Sequence, residues 1–169
     1  MGRTTTPINS RVTLRRLALD DAPFILELLN DPDFIANIAD RGVRTLDEAR
    51  HYLASGPIEM YERLGYGLWC VELRTTRTPI GICGFLKRDW LDDVDVGFAL
   101  LPDFRGCGYA REAVRIALAR GREVFALTRI VAIVSPGNER SERLLKDLGL
   151  QFERMVQPMP GVPEIQLFS

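Results

Sequence analysis

DVGFALLPDFRGCGYAREAVRIALARGREVFAL, residues 95–127, decides how the rest of the chain is read. The apolar run 96–101 fits a buried strand, Pro102 stops it, and Arg105-Gly106-Cys107-Gly108-Tyr109-Ala110 opens a helix. Ala110, Ala113, Val114, Ala117 and Leu118 then share one helical face. A loop at that junction suits an anion, because the first turn of a helix has amide N–H groups without partners and carries the positive end of the macrodipole. Gly106 and Gly108 tolerate positive φ and admit phosphate oxygens close to the backbone, with Arg105 as a charge at the rim. The competing reading is a plain glycine turn before an ordinary helix, since short glycine patterns are common.

Two familiar phosphate loops are absent. There is no GxxxxGK[ST], and Gly106-Cys107-Gly108 lacks the third glycine and the acidic partner of a dinucleotide site. Arg105, Gly108 and Ala110 do match [QR]-x-x-G-x-[GA], with Pro102 ahead of them, and NERSERLLKDLG follows at residues 138–149. The first pattern resembles motif A of the GNAT acetyltransferase superfamily. The second is similar to the N-x-x-S-x-x-L-L-x-x-x-G block of its RimJ/RimL-like branch.

N-terminal to this stretch, residues 11–14 begin a strand, and Asp20-Asp21-Ala22-Pro23 supplies a cap, an acidic first turn and an early proline for a helix. Phe24, Ile25, Leu28 and Leu29 share its face, and Asn30-Asp31-Pro32 stops it. Thr45-Leu46-Asp47-Glu48 is a capping box for a second helix, Ser55-Gly56-Pro57 breaks that helix, and residues 58–64 form another. Residues 67–73 and 80–85 read as an antiparallel hairpin, and 94–101 as the next strand. The helix from Tyr109 extends to about residue 127, with Gly121 as a candidate break within it. The β-branched run 130–134 then suits a buried strand, parallel to 94–101 through a right-handed crossover. Asn138 caps a last helix, Gly149 stops it, and residues 152–156 and 164–168 close the chain as a hairpin.

With 169 residues, 46% of them hydrophobic, the chain has the bulk for one core. A net charge of −1 with acids and bases interspersed argues against nucleic acid or a membrane surface as the main partner. Cys70, Cys83 and Cys107 are odd in number and far apart, and His51 is the only histidine, so neither a disulfide framework nor a zinc site is expected. Reduced thiols fit a cytoplasmic protein. The first ten residues are polar and lack a signal-peptide core, and no run is long enough to span a bilayer.

The resemblance covers the chain from end to end, apart from a flexible tail at 1–10, and implies a single N-acetyltransferase domain over residues 1–169. The implied fold is α+β (mixed α/β), a central mixed, mostly antiparallel sheet flanked by helices. It also implies acetyl-CoA as co-substrate, no metal, and as acceptor a protein N-terminal α-amine or a small amine or amino acid. Pairing into a homodimer stays open. By resemblance, the diphosphate lies on Arg105, Gly106, Cys107, Gly108, Tyr109 and Ala110. The pantetheine arm runs along Phe98, Ala99 and Leu100, and Asn138 both caps its helix and binds a pantetheine amide.

Attack on a thioester needs a neutral amine, an oxyanion donor and a proton for the departing thiolate. Asp92, Asp93 and Asp95 lie nearest along the chain to the implied thioester position, and Asp95, on the strand itself, is the favoured base. Asp92 and Asp93 equally fit a solvated acidic turn. His51 is a further acid–base candidate, although a lone helical histidine more often serves the surface or the packing. The tyrosine that many family members use to protonate the thiolate falls at Leu145 and is missing. Ser141 is the alternative, either donating to the sulfur or making local backbone bonds. Two other classes compete: a catalytically weak acyl-CoA-binding module, suggested by the absent tyrosine, and an unrelated nucleotide-binding protein, disfavoured by the missing lysine and magnesium ligands.

Overall fold

Among the described residues seven strands form one sheet: β1 (Val12–Arg16), β2 (Leu68–Leu73), β3 (Pro79–Leu86), β4 (Val94–Leu100), β5 (Ile130–Val134), β6 (Phe152–Val156) and β7 (Ile165–Phe168). The structure is a computed structural model and describes residues 7 and 9–169. The strand order is β1-β2-β3-β4-β5-β7-β6, and β4 with β5 is the parallel pair in an otherwise antiparallel ladder. This is the mixed, mostly antiparallel α+β sheet expected from the sequence.

Among the described residues six α-helices flank it: α1 (Ala22–Leu29), α2 (Pro32–Asn37), α3 (Leu46–Leu53), α4 (Glu59–Leu64), α5 (Tyr109–Glu123) and α6 (Glu139–Asp147). The period-2 alternation of strand side chains assigns the layers. Along β2, Trp69 and Val71 enter a larger core with α5 residues Ala113, Val114, Ala117 and Leu118. Leu68 and Cys70 enter a second core with Ile25, Leu28 and Leu29 of α1 and Ala49 and Leu53 of α3. Leu145 of α6 joins the first core, so α5 and α6 cover one face and α1 and α3 the other.

Local chemistry explains most boundaries. Thr45 Oγ1 accepts from the Glu48 N–H at 3.2 Å while Glu48 Oε2 accepts from the Thr45 N–H at 3.0 Å, closing the capping box. Three expectations are corrected. Asn30-Asp31-Pro32 ends α1 but also starts α2, because Asp31 caps it by accepting from the Phe34 N–H at 3.1 Å and Pro32 occupies a first-turn position that needs no N–H. Ser55-Gly56-Pro57 does not break the chain path: a wide π-helical turn, Ala54–Ile58, absorbs Pro57 and leads directly into α4. Gly121 does not break α5 either. A Cβ there would lie 2.5 Å from Phe85 Cζ, so the missing side chain serves close packing of helix on sheet, and α5 ends at Glu123.

The tail expected over residues 1–10 falls mostly outside the described residues. Ser10 itself is held, its Oγ donating to the Val12 carbonyl at 2.9 Å and to Glu112 at 3.2 Å.

Candidate active site

Pairing between β4 and β5 is confined to Val94 with Ile130 and Asp95 with Val131. From Ala132 onward β5 pairs with β7 instead, so the two parallel strands splay, and β4 beyond Asp95 has β3 on one side and no strand on the other. Backbone polar groups on such an edge require other partners. Phe98 and Ala99 lie on this edge and are partly exposed, while Leu100 is buried. Because β4 and β5 run parallel, the helices that follow them, α5 and α6, both begin at the carboxyl end of the pair, where the splay opens.

The β4–α5 connection passes through a 3-10 turn, Pro102–Phe104, to Gly106 at φ +73° and Gly108 at φ +85°. Gly108 is the N-cap of α5, and no side chain caps it, so the first-turn amides stay available to an anion. A Cβ on Gly106 would meet nothing within 4 Å, which marks open space in front of that residue. A Cβ on Gly108 would lie 3.0 Å from Arg11 Nη2. Cys107 is exposed, and Tyr109 and Ala110 are half-buried against the larger core.

Two arginines shape the loop. Arg105, expected as a rim charge, is engaged within the protein: its Nε donates to the Leu100 carbonyl at 3.0 Å, its Nη1 to Asp33 at 2.7 Å and its Nη2 to Asp31. Two carboxylates therefore neutralise it, and it ties the loop to the cap of α2. Arg11, which no motif singles out, donates from Nη2 to the Cys107 carbonyl at 2.8 Å and from Nε to Glu112 at 2.6 Å, and covers the Tyr109 ring at 4.5 Å. Partial burial works to raise the Glu112 carboxyl, but the Arg11 N–H and guanidinium hold it below the usual range. The Arg11 charge, paired at 2.6 Å, offsets the negative charge that Glu112 brings to the first turn of α5.

Asp95 is 1% exposed and sits at the last paired position before the splay. Arg88 Nε donates to its Oδ1 at 3.0 Å and Nη2 to its Oδ2 at 3.4 Å. Burial pushes the carboxyl above its ordinary value and outweighs the opposing pull of Arg88. Strand alternation turns Asp95 away from the α5 side, where Val94 and Val96 lie. Tyr52 of α3 lies within the field of Arg88 and Arg41, its hydroxyl raised by burial against the pull of both. Asp92 is exposed, and Asp93 is engaged by Arg129 at 2.9 Å, so Asp95 is the carboxylate of the three nearest the splay that is enclosed. His51 lies exposed on α3.

Asn138 caps α6 as expected, its Oδ1 accepting from the Ser141 N–H at 3.3 Å. The half-buried Ser141 hydroxyl makes no hydrogen bond among the described residues, so it is not consumed by local backbone bonding. Leu145 is fully buried in the larger core. Ser135, at the end of β5, donates to the Asn37 carbonyl at 3.0 Å and so joins α2 to the edge of the splay. Among the described residues no cluster of His, Cys, Asp and Glu is placed to hold a metal, and no helix is long and apolar enough to cross a membrane.

A glycine loop at a helix start, set against a splayed parallel pair, is an arrangement fitted to an extended ligand with an anionic end. Comparison with known proteins gives it a family: residues 11–151 match the Acetyltransferase (GNAT) domain, and the chain belongs to that family. Members of the family use acetyl-CoA as acyl donor. The uncharacterised N-acetyltransferase p20 of Bacillus licheniformis is 28% identical, over 90% of this chain and 85% of its own. RimL, a ribosomal L7/L12 α-N-protein acetyltransferase solved with coenzyme A, superposes with a TM-score of 0.80 at 14% identity, over 96% of this chain and 95% of that one. Spermidine N-acetyltransferase from Vibrio cholerae, with CoA and spermine, gives 0.77 at 19% identity, over 95% of both chains. At these identities the structural likeness is one of fold.

Proposed function

We propose that the protein, a single domain acting in the cytoplasm, transfers the acetyl group of acetyl-CoA to a primary amine by direct attack within a ternary complex. The acceptor is a protein N-terminal α-amine or a small amine. The observation that carries this reading is the loss of β4–β5 pairing after Asp95, directly before an uncapped helix N-terminus whose glycines both have positive φ. In this reading the amides from Gly106 to Ala110 hold the diphosphate, and Phe98, Ala99 and Leu100 pair with the pantetheine amides along the free edge of β4. Two neighbours in fold whose names specify amine acceptors, RimL and the spermidine enzyme, support the acceptor class, and RimL supports a RimJ/RimL-like affiliation.

The residues divide the proton work. Asp95, whose charged form Arg88 supports against the upward push of burial, accepts the ammonium proton; at 1% exposure it does so through an intervening water. The unpartnered Ser141 hydroxyl hydrogen-bonds to the departing sulfur, in place of the tyrosine excluded at Leu145, and the thiolate takes its proton from the attacking nitrogen as the tetrahedral intermediate collapses. A backbone N–H on the open edge of β4 stabilises the thioester oxygen, an interaction of the kind worth about 3 kcal/mol in the transition state. An α-amine, with a pKa near ~8, reaches its neutral form more readily than a lysine amine near ~10.4.

The buried Asp95–Arg88 pair and Leu145 favour a second reading, an acyl-CoA-binding module with weak catalysis. The test is thiol release from acetyl-CoA across a panel of N-terminal peptides, polyamines and amino acids. Acetylated product with stoichiometric free thiol supports transfer. CoA binding without thiol release on any amine supports the module and refutes the enzyme.

A further inference from the structure

Three glycines lie within strands among the described residues, Gly81 and Gly84 on β3 and Gly97 on β4, and none of them has positive φ. A glycine weakens a strand relative to alanine, because it loses more backbone freedom on folding and packs no side chain, so each needs a reason. Two have one in the packing. A Cβ on Gly81 would collide with the Ala99 carbonyl oxygen and Leu100 Cδ2, and a Cβ on Gly84 with the Gly67 carbonyl oxygen. Gly97 is different. A Cβ there would meet Leu86 Cδ1 at 3.7 Å, an ordinary contact, and no other atom within 4 Å outside its chain neighbours. Nothing in the protein's own packing excludes alanine at that position.

Its place on the sheet supplies the reason. Val94, Val96 and Leu100 belong to the larger core beneath α5, which leaves Asp95, Gly97 and Ala99 on the opposite face of β4. Gly97 is thus the next residue after Asp95 on the face that carries the carboxylate, roughly 7 Å further along the strand. It lies past the last β4–β5 pair, where β4 has no strand on that side, and its partner across the ladder on β3 is Gly84, which also has no side chain. Unlike Asp95, Gly97 is partly exposed, so the space over it opens to solvent and is not sealed within a core.

We propose that Gly97 is a specificity-determining residue: the volume left by its missing side chain, over the free edge of β4, is the passage by which the acceptor amine reaches the thioester from the Asp95 face. In the transferase reading, on which this rests, the coenzyme arm lies along the β4 edge in the plane of the sheet. The amine then attacks from the face where its proton can be taken. Reacting atoms must close to about 3–3.5 Å, so even one methyl group on that line is felt. A side chain at 97 would stand between Asp95 and Ala99 on the approach, while the backbone groups that hold the coenzyme stay as they are. A strand glycine without a packing role is what close approach of a ligand requires.

The experiment uses the full chain and its Gly97→Ala and Gly97→Val variants, with Gly84→Ala to show what loss of a packing glycine does. Acetyl-CoA is the donor, and an alanine-initiated peptide, spermidine and free alanine are the acceptors. Urea unfolding should place the G97A midpoint at or above that of the parent chain, and that of G84A below it. CoA affinity in calorimetry and the KM for acetyl-CoA should be unchanged in G97A. Its kcat/KM for whichever amine the parent chain acetylates should fall ~10-fold or more, and that of G97V further. The proposal is overturned by a G97A variant that keeps full kcat/KM for the amine, by a loss of CoA affinity that accompanies the loss of turnover, or by a G97A midpoint below that of the parent chain. A parent chain that acetylates none of the three amines refutes the transferase reading itself, and the role of Gly97 falls with it.

Discussion

Replacing Arg88 by methionine tests the electrostatics on which Asp95 depends. The substitution leaves a carboxyl that is 1% exposed without its ion-pair partner, and Lys87 as the remaining cation acting on it. Burial already holds the Asp95 pKa above its ordinary value, so the folded protein binds that proton more tightly than the unfolded chain. The stability Asp95 contributes is accordingly greatest in acid, below the unfolded value of ~3.9, and is lost as pH rises through the folded value. Without Arg88 the folded value climbs further. The loss at neutrality has a ceiling, because the group can stay protonated at a cost of ~1.4 kcal/mol per pH unit above ~3.9, about 4 kcal/mol at pH 7. Breaking a buried pair by removing one partner costs a similar ~3–5 kcal/mol.

Urea unfolding should therefore show R88M less stable by about 3 kcal/mol at pH 7, with the loss shrinking to about 2 kcal/mol or less near pH 5.5. R88M/D95N should recover most of it, since the uncompensated charge is gone. In turnover assays the acidic limb of the R88M pH profile should move to higher pH, because a base that holds its proton longer is ionised later. A stability loss that is the same at both pH values, or one below about 1 kcal/mol, would refute the claim that Arg88 supports the charged form of a buried Asp95.

The two loop glycines should separate under substitution. Gly106→Ala meets no protein atom, so it should cost only the ~1–2 kcal/mol of positive-φ strain while CoA affinity in calorimetry falls about tenfold or more. Gly108→Ala also displaces Arg11 and should lower stability further; unchanged CoA affinity in G106A would remove the loop from the site. Ser141→Ala should leave urea stability within about 0.5 kcal/mol but slow turnover about tenfold, with the rate restored by an acyl donor whose thiol is a stronger acid. A deficit that such a donor does not relieve would assign Ser141 a structural role. Arg105→Met should cost about 1–3 kcal/mol in urea by freeing the Asp31 cap of α2, and leave the salt dependence of CoA binding unaltered; a flatter salt dependence would return Arg105 to the phosphate.

What was legible in the chain was local. Pro102, the glycines at 106 and 108 and the alternating run before them carry their meaning within a few residues, as do the Thr45–Glu48 box and the Asn138 cap. Asp31-Pro32 was ambiguous because the same two residues stop one helix and start another. The splay has no local signal: it arises because β7 replaces β4 as the partner of β5 at Ala132, a choice made by a strand more than thirty residues further along. The partners of Arg11, Arg105 and Arg120 are likewise set by tertiary contacts. Arg120 is one more charged residue on an amphipathic helix until the fold lays Trp69 beside it.

The most direct measurement is a crystal structure of the protein with CoA. The expected result is the diphosphate on the amides of residues 106–110, the pantetheine arm paired along the open edge of β4, and the sulfur between that edge and the start of α6. A CoA molecule bound elsewhere, with those amides still without a ligand and the β4 edge unpaired, would contradict the assignment.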